Sequence, residues 1–361
     1  MTQTTAATGL TVQQWDTKYA TEFIRNHPFK RYMGRGEGNI IQVKSDLSKK
    51  KGDSLTFALV NKFTGAVNDG TTKLEGNEEK GTTRSHKLTV GLRRNGFSVT
   101  EFEEQISAIG LRDALKPQMM EWGVEKDIER IVDELYSKNG VAYASASEVQ
   151  KDAWLVDNAD RVLFGDAKGN NASNDHSAAL AAVTASMKLG ASELSLMKRI
   201  ALSASPKIKP VRIEGTDKRF YVVFAHPLAF RDLKNDAAIT QAQREVGLDK
   251  ENNRLFQGGD IVWDGMIVHE VDDMTTLSGV GASGIDLGGV FLCGTQALGM
   301  GIAKPWETRE KKETDYENEK GCAVVTIDGL DKMTFGTGSD DTDDLKDHGI
   351  VTGYFPAVAD A

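Results

Sequence analysis

Between Gly52 and Val99 the chain alternates twice, and the two alternating runs are joined by a connection far longer than a hairpin turn needs. From Ser54 to Thr64, Leu55, Phe57, Leu59 and Phe63 fall on one face, with Thr56, Lys62 and Thr64 on the other. From Arg84 to Leu92 the answering apolar set is Leu88, Val90 and Leu92. A period of two is the mark of a half-buried strand. The connection from Gly65 to Gly81 is rich in turn formers and charge and poor in residues that pack a core. A two-stranded ribbon is marginal in water by itself. It therefore needs a surface to lie against, and the surface expected here is a second copy of the chain.

The chain has 361 residues, enough for two domains or one elaborated domain. Apolar residues at 39% and charged residues at 27% describe a soluble globular protein, and 36 glycines against 7 prolines point to turns and bulged strands. A net charge of −9 argues against a protein that coats nucleic acid over its whole surface. Cys293 and Cys322 stand apart without metal-ligand spacing, so two buried small apolar residues in a reducing compartment are expected. The first residues have no secretion-signal pattern, and no window approaches the apolar length of a membrane span.

Thr11 to Gln14 fits a capping box, and Val12, Trp15, Tyr19 and Phe23 follow at helical spacing. From Arg25 to Lys51 the chain is basic and mostly aperiodic, read as an extended arm carrying Arg25, Lys30, Arg31 and Arg35. Thr100 to Glu103 is a second capping box. It opens a long helical pattern with Phe102, Ile106 and Ile109 on one stripe and Val124, Ile128, Ile131 and Leu135 on the next, to be kinked or restarted at Pro117. Residues 141 to 175 read as irregular. Helices are expected at Ser177 to Leu189, Ser192 to Ser203, after His226-Pro227, and at Ala237 to Val246. Strands are expected at Phe220 to Phe224, Ile261 to Trp263, Met266 to Val271, Val290 to Gly294, Cys322 to Ile327, Lys332 to Phe335 and Gly349 to Phe355. Glu307 to Lys320 reads as an exposed charged loop or ribbon tip, and Asp340, Asp341, Asp343, Asp344 and Asp347 as a solvated acidic turn.

Little in the chain suggests turnover. Gly279-Val-Gly-Ala-Ser-Gly284 matches a dinucleotide fingerprint as a string, but no strand leads into it and no helix follows. The six histidines form no i, i+4 pair and have no cysteine nearby. His269-Glu270 lies in an alternating strand, and no serine occupies a strand-to-helix elbow. The Asp cluster lacks the spacing and the glycine of a calcium loop. No catalytic residue, cofactor or metal is expected.

Four strings carry a resemblance to a known family: Gly52-Asp-Ser-Leu-Thr-Phe-Ala-Leu-Val60, Thr72-Thr-Lys-Leu-Glu-Gly-Asn-Glu-Glu79, Phe224-Ala-His-Pro-Leu-Ala-Phe-Arg-Asp-Leu233 and Asp264-Gly-Met-Ile-Val-His-Glu270. Together with the order of arm, ribbon, helix and α/β region, the chain resembles the major capsid proteins of tailed double-stranded-DNA bacteriophages, in the branch of the coliphage N-four capsid protein. The resemblance implies an α+β fold of the Hong Kong 97 type. It makes residues 1–51 an N-arm, 52–99 an E-loop and 100–140 the spine helix of a peripheral domain. Residues 141–289 become an axial domain, 290–336 return to the peripheral sheet and its P-loop, and 337–361 run back toward the axial domain.

The resemblance further implies a structural subunit that forms pentamers and hexamers of an icosahedral virion shell around double-stranded DNA, assembled in the host bacterial cytoplasm without membrane. Scaffolding, decoration (cement) and portal proteins are its candidate partners, and DNA contact is non-specific. On this reading Phe57, Leu59, Phe63 and Leu88 are apolar residues that only a neighbouring subunit can cover, with Leu74, Glu75, Glu78, Glu79, Arg84, Arg93 and Arg94 fixing register on it. Trp15, Tyr19, Phe23, Arg25, Lys30, Arg31 and Arg35 would make N-arm contacts, and Glu307, Arg309, Glu310, Lys311 and Lys312 P-loop contacts. Two other readings stay open: an encapsulin-like cellular shell, distinguished by the nucleic-acid content of particles, and an oligomeric α/β enzyme, distinguished by thermal shift with nucleotides or metals.

Overall fold

A computed structural model describes residues 29–45, 53–63, 65, 67–70, 73–107, 111–212, 219–245, 261–311 and 318–359. The expected capping box and helix at 11–23, including Trp15, Tyr19 and Phe23, and also Arg25, lie outside these residues. The later part of the basic arm is not a free extended segment. Phe29, Tyr32, Ile40 and Ile41 are buried in the largest core, and β1 (Met33–Gly34) and β2 (Ile41–Lys44) pair in parallel. Lys30, Arg31 and Arg35 remain exposed beside them.

The ribbon is β3 (Ser54–Val60) paired antiparallel with β4 (Thr83–Thr89), with Leu55 opposite Leu88 and Phe57 opposite His86. Its expected second strand is divided: after Val90, β5 (Gly91–Thr100) leaves the ribbon and joins a different sheet. Thr100 then caps the short helix α1 (Glu101–Ile106), its hydroxyl accepting from the amide of Glu103. The helical pattern breaks after Ile106 and not at Pro117, which lies inside α2 (Leu111–Tyr136).

Residues 141–175, expected to be irregular, hold α3 (Glu148–Asn158) and β6 (Val162–Phe164). A capping box between Ser147 and Gln150 starts α3, and the three-residue strand is too short to show a period. Next come α4 (His176–Ala181), α5 (Ala191–Ser203), β7 (Val211–Arg212) and β8 (Arg219–Ala225). His226 and Pro227 turn β8 into α6 (Pro227–Lys234), where the proline occupies the first turn and needs no amide partner. α7 (Ala237–Glu245), β9 (Ile261–Trp263), β10 (Met266–Glu270) and β11 (Thr276–Leu277) follow. The glycines from 279 to 284 form a loop and a single 3-10 turn leading into β12 (Leu287–Cys293).

Two 14-residue strands, β13 (Leu298–Lys311) and β14 (Glu319–Lys332), form a second antiparallel ribbon. Register shifts between Ile302 and Glu307 bracket Pro305, whose missing amide breaks the ladder. β15 (Thr334–Gly336), β16 (Leu345–Asp347) and β17 (Ile350–Pro356) complete the run.

Among the described residues these strands form two main sheets. One has the order β1-β2-β13-β14-β5; the other runs β6-β17-β12-β8-β10-β9, with β7 and β11 on its margins. Val290 to Cys293, expected in the peripheral sheet, belong to the second sheet through β8 and β17. Successive residues of β8, β12 and β17 enter different cores. Val222, Phe224, Phe291, Ile350 and Tyr354 face one side, and Val223, Ala225, Val290, Leu292, Val351 and Phe355 the other. That two-sided burial is why these strands read as continuous apolar runs. α2 connects the sheets. Met119 packs with Val324 of the first, and Ile131, Leu135 and Tyr136 enter the core of the second.

Candidate functional site

The base of the β3–β4 ribbon sits on its own subunit. Leu55, Phe57 and Leu88 are 7%, 1% and 1% exposed, for Phe57 and Leu88 against the expectation that only a neighbour could cover them. Phe57 and Leu88 pack with Met333 and Phe335, and Leu59 and Val90 are partly buried against the same group. Three glycines on β13 and β14 make this seat. A Cβ on Gly299 would stand 3.1 Å from the Phe57 ring, one on Gly301 would stand 2.9 Å from Leu88 and run into Leu55, and one on Gly329 would stand 2.6 Å from Leu88. Each fully buried large apolar side chain contributes roughly 1.5–3 kcal/mol relative to exposure. Exposed ion pairs on the same ribbon contribute about 0–1 kcal/mol, so the seat decides where the ribbon lies.

Polar ties hold the other edge. The amide and hydroxyl of Ser85 donate to the Asp341 carboxylate at 3.2 and 2.6 Å, and Arg84 donates to the Gly338 carbonyl. His86 Nε2 stands 3.4 Å from Asp331, while Nδ1 faces the Thr334 carbonyl at 3.1 Å. The acidic turn is thus only partly solvated. Asp341 ties the ribbon, and Asp347 is buried deep in the subunit, accepting from Lys332 Nζ and Trp154 Nε1 at 3.2 Å each.

Beyond Val60 the ribbon is exposed. Asn61 and Thr82 close its neck, the amide of Gly65 donates to Glu79 at 2.7 Å and that of Gly76 to Glu78 at 2.8 Å. Phe63, Val67 and Leu74 are 61%, 82% and 65% exposed, and Glu75 lies on the open surface beside them. Of the expected contact residues, Phe63, Leu74, Glu75, Glu78 and Glu79 therefore share the free tip. Phe57 and Leu88 are withdrawn into the seat and have no surface left to offer a neighbour. Arg84 is turned to the acidic turn.

Arg93 and Arg94 are on β5, away from the tip. Arg94 is exposed, and Arg93 Nε points at the buried Asp328 carboxylate 3.9 Å away. Asp328 also pairs with Arg130 of α2 at 2.6 Å, and Arg130 with Asp127 at 3.2 Å, so this charge group clamps α2 to β14. Of the two expected forms, loop or ribbon tip, Glu307, Arg309, Glu310 and Lys311 take the second, on the outer half of β13, with Glu307 held by Lys304 at 2.6 Å; Lys312 lies outside the described residues. The glycine seat and the Arg130–Asp328 clamp carry no local signature in the sequence. The signal that could have found the seat is the run Gly299-Met-Gly301, since glycine inside a strand often marks a close approach.

The residues set aside as chemistry have structural partners. His269 pairs with the hydroxyl of Tyr32, Glu270 with Lys234 at 3.1 Å, and His226 with Thr276 at 2.9 Å. Among the described residues no group of three His, Cys, Asp or Glu side chains is arranged to hold a metal ion.

Comparison with known proteins gives the chain its family. The family model described as "Phage capsid protein" matches residues 3–358. The chain belongs to the phage capsid protein family. It is 28% identical over 360 residues to a major capsid protein of Pseudomonas phage KPP25, covering 92% of each chain. The capsid subunit of cyanophage Pam1 superposes with a TM-score of 0.83 at 29% identity over the full length of both chains. That of Ralstonia phage GP4 gives 0.72 at 20% identity, covering 93% of this chain and 92% of the other. The fold is the α+β Hong Kong 97-type capsid fold. As a capsid subunit the protein is a component of the virion and associates with further copies of itself into a shell.

Proposed function

We propose that the protein is the major subunit of an icosahedral phage head, arranged as pentamers and hexamers around double-stranded DNA and assembled in the host cytoplasm. In this reading residues 52–99 form the E-loop, β13 and β14 carry the P-loop at their tip, and the eight-stranded sheet is the body of the axial domain. The supporting observation is the division of the first ribbon. Its base is locked on its own subunit, while its tip carries Phe63, Val67 and Leu74 outward, exposed among the described residues.

A rigid base fixes the direction of the tip, so the tip reaches an adjacent subunit already oriented, at small entropic cost. Glu75, Glu78 and Glu79 set its register there by charge. Such contacts are individually weak and act through repetition around the shell. Scaffolding, decoration and portal proteins would meet surfaces that the shell leaves open, and the DNA would meet the inner wall without sequence readout, consistent with the net charge of −9. The shell is held without covalent cross-links, and none of the work is catalytic.

Deleting residues 65–81 tests the reading. The shortened subunit is expected to be soluble, with an unfolding midpoint close to that of the parent chain, because the seat lies outside the deletion. By negative-stain microscopy it should form no closed shells under conditions where the parent chain does. Normal shells from the deleted chain would refute the role given to the tip.

A further inference from the structure

The short helix α1 is an odd element for a folded subunit. None of its six residues is buried. Phe102 and Ile106, four apart and so on one face, are 71% and 65% exposed. Six residues cannot sustain a helix in water, where nucleation outweighs the few hydrogen bonds gained. Packing against the rest of the subunit is the usual remedy, and here no side chain of the helix is buried to supply it. The chain instead fixes the helix at its start. Thr100 caps it, Glu101, Glu103 and Glu104 in the first turn complement its dipole, and the Glu101 amide donates to the Asn318 carbonyl at 2.8 Å. The last bond ties α1 to the entry of β14, beside the outer end of the β13–β14 ribbon. The result is a preformed apolar face held out from the subunit.

We propose that the Phe102–Ile106 face of α1 is an assembly contact that a second copy of this chain covers in the shell. The inference rests on the shell reading given above and adds a surface distinct from the ribbon tip. A second copy is the occupant because the chain works among copies of itself and every subunit presents the same face. Size points the same way. An aromatic side chain buries about 150–250 Å², and a specific stable interface needs on the order of 1,200–2,000 Å² in total. Two side chains are too little to hold a lone partner, but they suffice as one contact among several repeated around a shell.

The double variant Phe102→Ser with Ile106→Ser in the full chain tests this. The unassembled variant should match the parent in circular dichroism and unfolding midpoint, while the concentration needed to form shells should rise about tenfold or more. A photo-crosslinking phenylalanine placed at position 102 of otherwise unaltered chains should join two copies within assembled shells. Assembly of the double variant at the parental concentration would overturn the proposal. So would a lowered midpoint of the unassembled double variant, or crosslinks confined to a single chain. If the parent chain itself never forms shells, the shell reading fails and this contact falls with it; failure of this contact alone shows as shells indifferent to the double variant.

Discussion

At the scale of single residues, the consequential positions are those that lack a side chain. Gly301 lies where Leu55 and Leu88 come down on β13, and the strand passes beneath them only because nothing projects there. Gly301→Val should cost roughly 1–3 kcal/mol through overpacking. Most of that cost should fall on the ribbon, whose seat is lost, while the eight-stranded sheet is untouched. Hydrogen exchange separates the two: amides of residues 54–60 and 83–89 should lose protection in the variant, and those of residues 287–293 should keep theirs. The alternation of Leu55 and Phe57 told which face of the ribbon is apolar. It did not tell whose surface receives that face, because the receiving glycines lie more than 200 residues away and a glycine in a strand looks the same whether or not something rests on it.

Among elements, the legible ones were those whose pattern is set by their own sequence. The run from Phe220 to Phe224, the turn at His226-Pro227 and the helix after it could be read directly, since two-sided burial and a proline in the first turn are local causes. The strand at Glu307 to Lys311 was only half legible. Its charges read as a loop or a ribbon tip because this half of β13 is paired on one side only among the described residues and tolerates charge, and only the partner strand β14 reveals the ladder. The tie between the first ribbon and the acidic turn was also invisible, since Ser85 and Asp341 are brought together only by the fold. Asp341→Ala removes both bonds from Ser85. The subunit should lose no more than about 1–3 kcal/mol of stability, while limited proteolysis within residues 61–82 should quicken as the ribbon gains play at its base. Unchanged cleavage would show that the apolar seat alone fixes the arm.

For the whole molecule, the buried histidines set the response to acid. Burial first, then the charges of Lys138 and Lys151, pushes His176 down to about 3; burial, then Arg161 and Lys209, pushes His348 down to about 4. Both lie below the usual histidine value of about 6.5, so the unfolded chain binds protons that the folded chain refuses. Their stability contribution is complete above about pH 6.5 and is lost as pH falls through 4 and then 3. Glu134 works the other way. Burial first, then Asp331, raises it to about 7, which favours the folded state below the unfolded carboxyl value and less so as pH rises toward 7. Unfolding measured from pH 7 to pH 3 should show stability falling on the acid side, and His348→Gln should flatten that fall without moving the value at pH 7 by a comparable amount. None of these three shifts was visible in the sequence, where the six histidines are simply scattered.

The position of β17 between β6 and β12 governs the order in which the subunit can come into being. The first ribbon leaves the ribosome early, yet the strands that seat it, and the strand that joins β6 to β12 in the large sheet, are made far later. At about 5–20 residues per second the interval is on the order of tens of seconds. Throughout it the nascent chain carries an arm with no seat and a large sheet to which β6 is not yet joined. Competence to assemble therefore arrives late and at once, when β17 slots in. A growing chain cannot be drawn into a shell before it is fit to hold one.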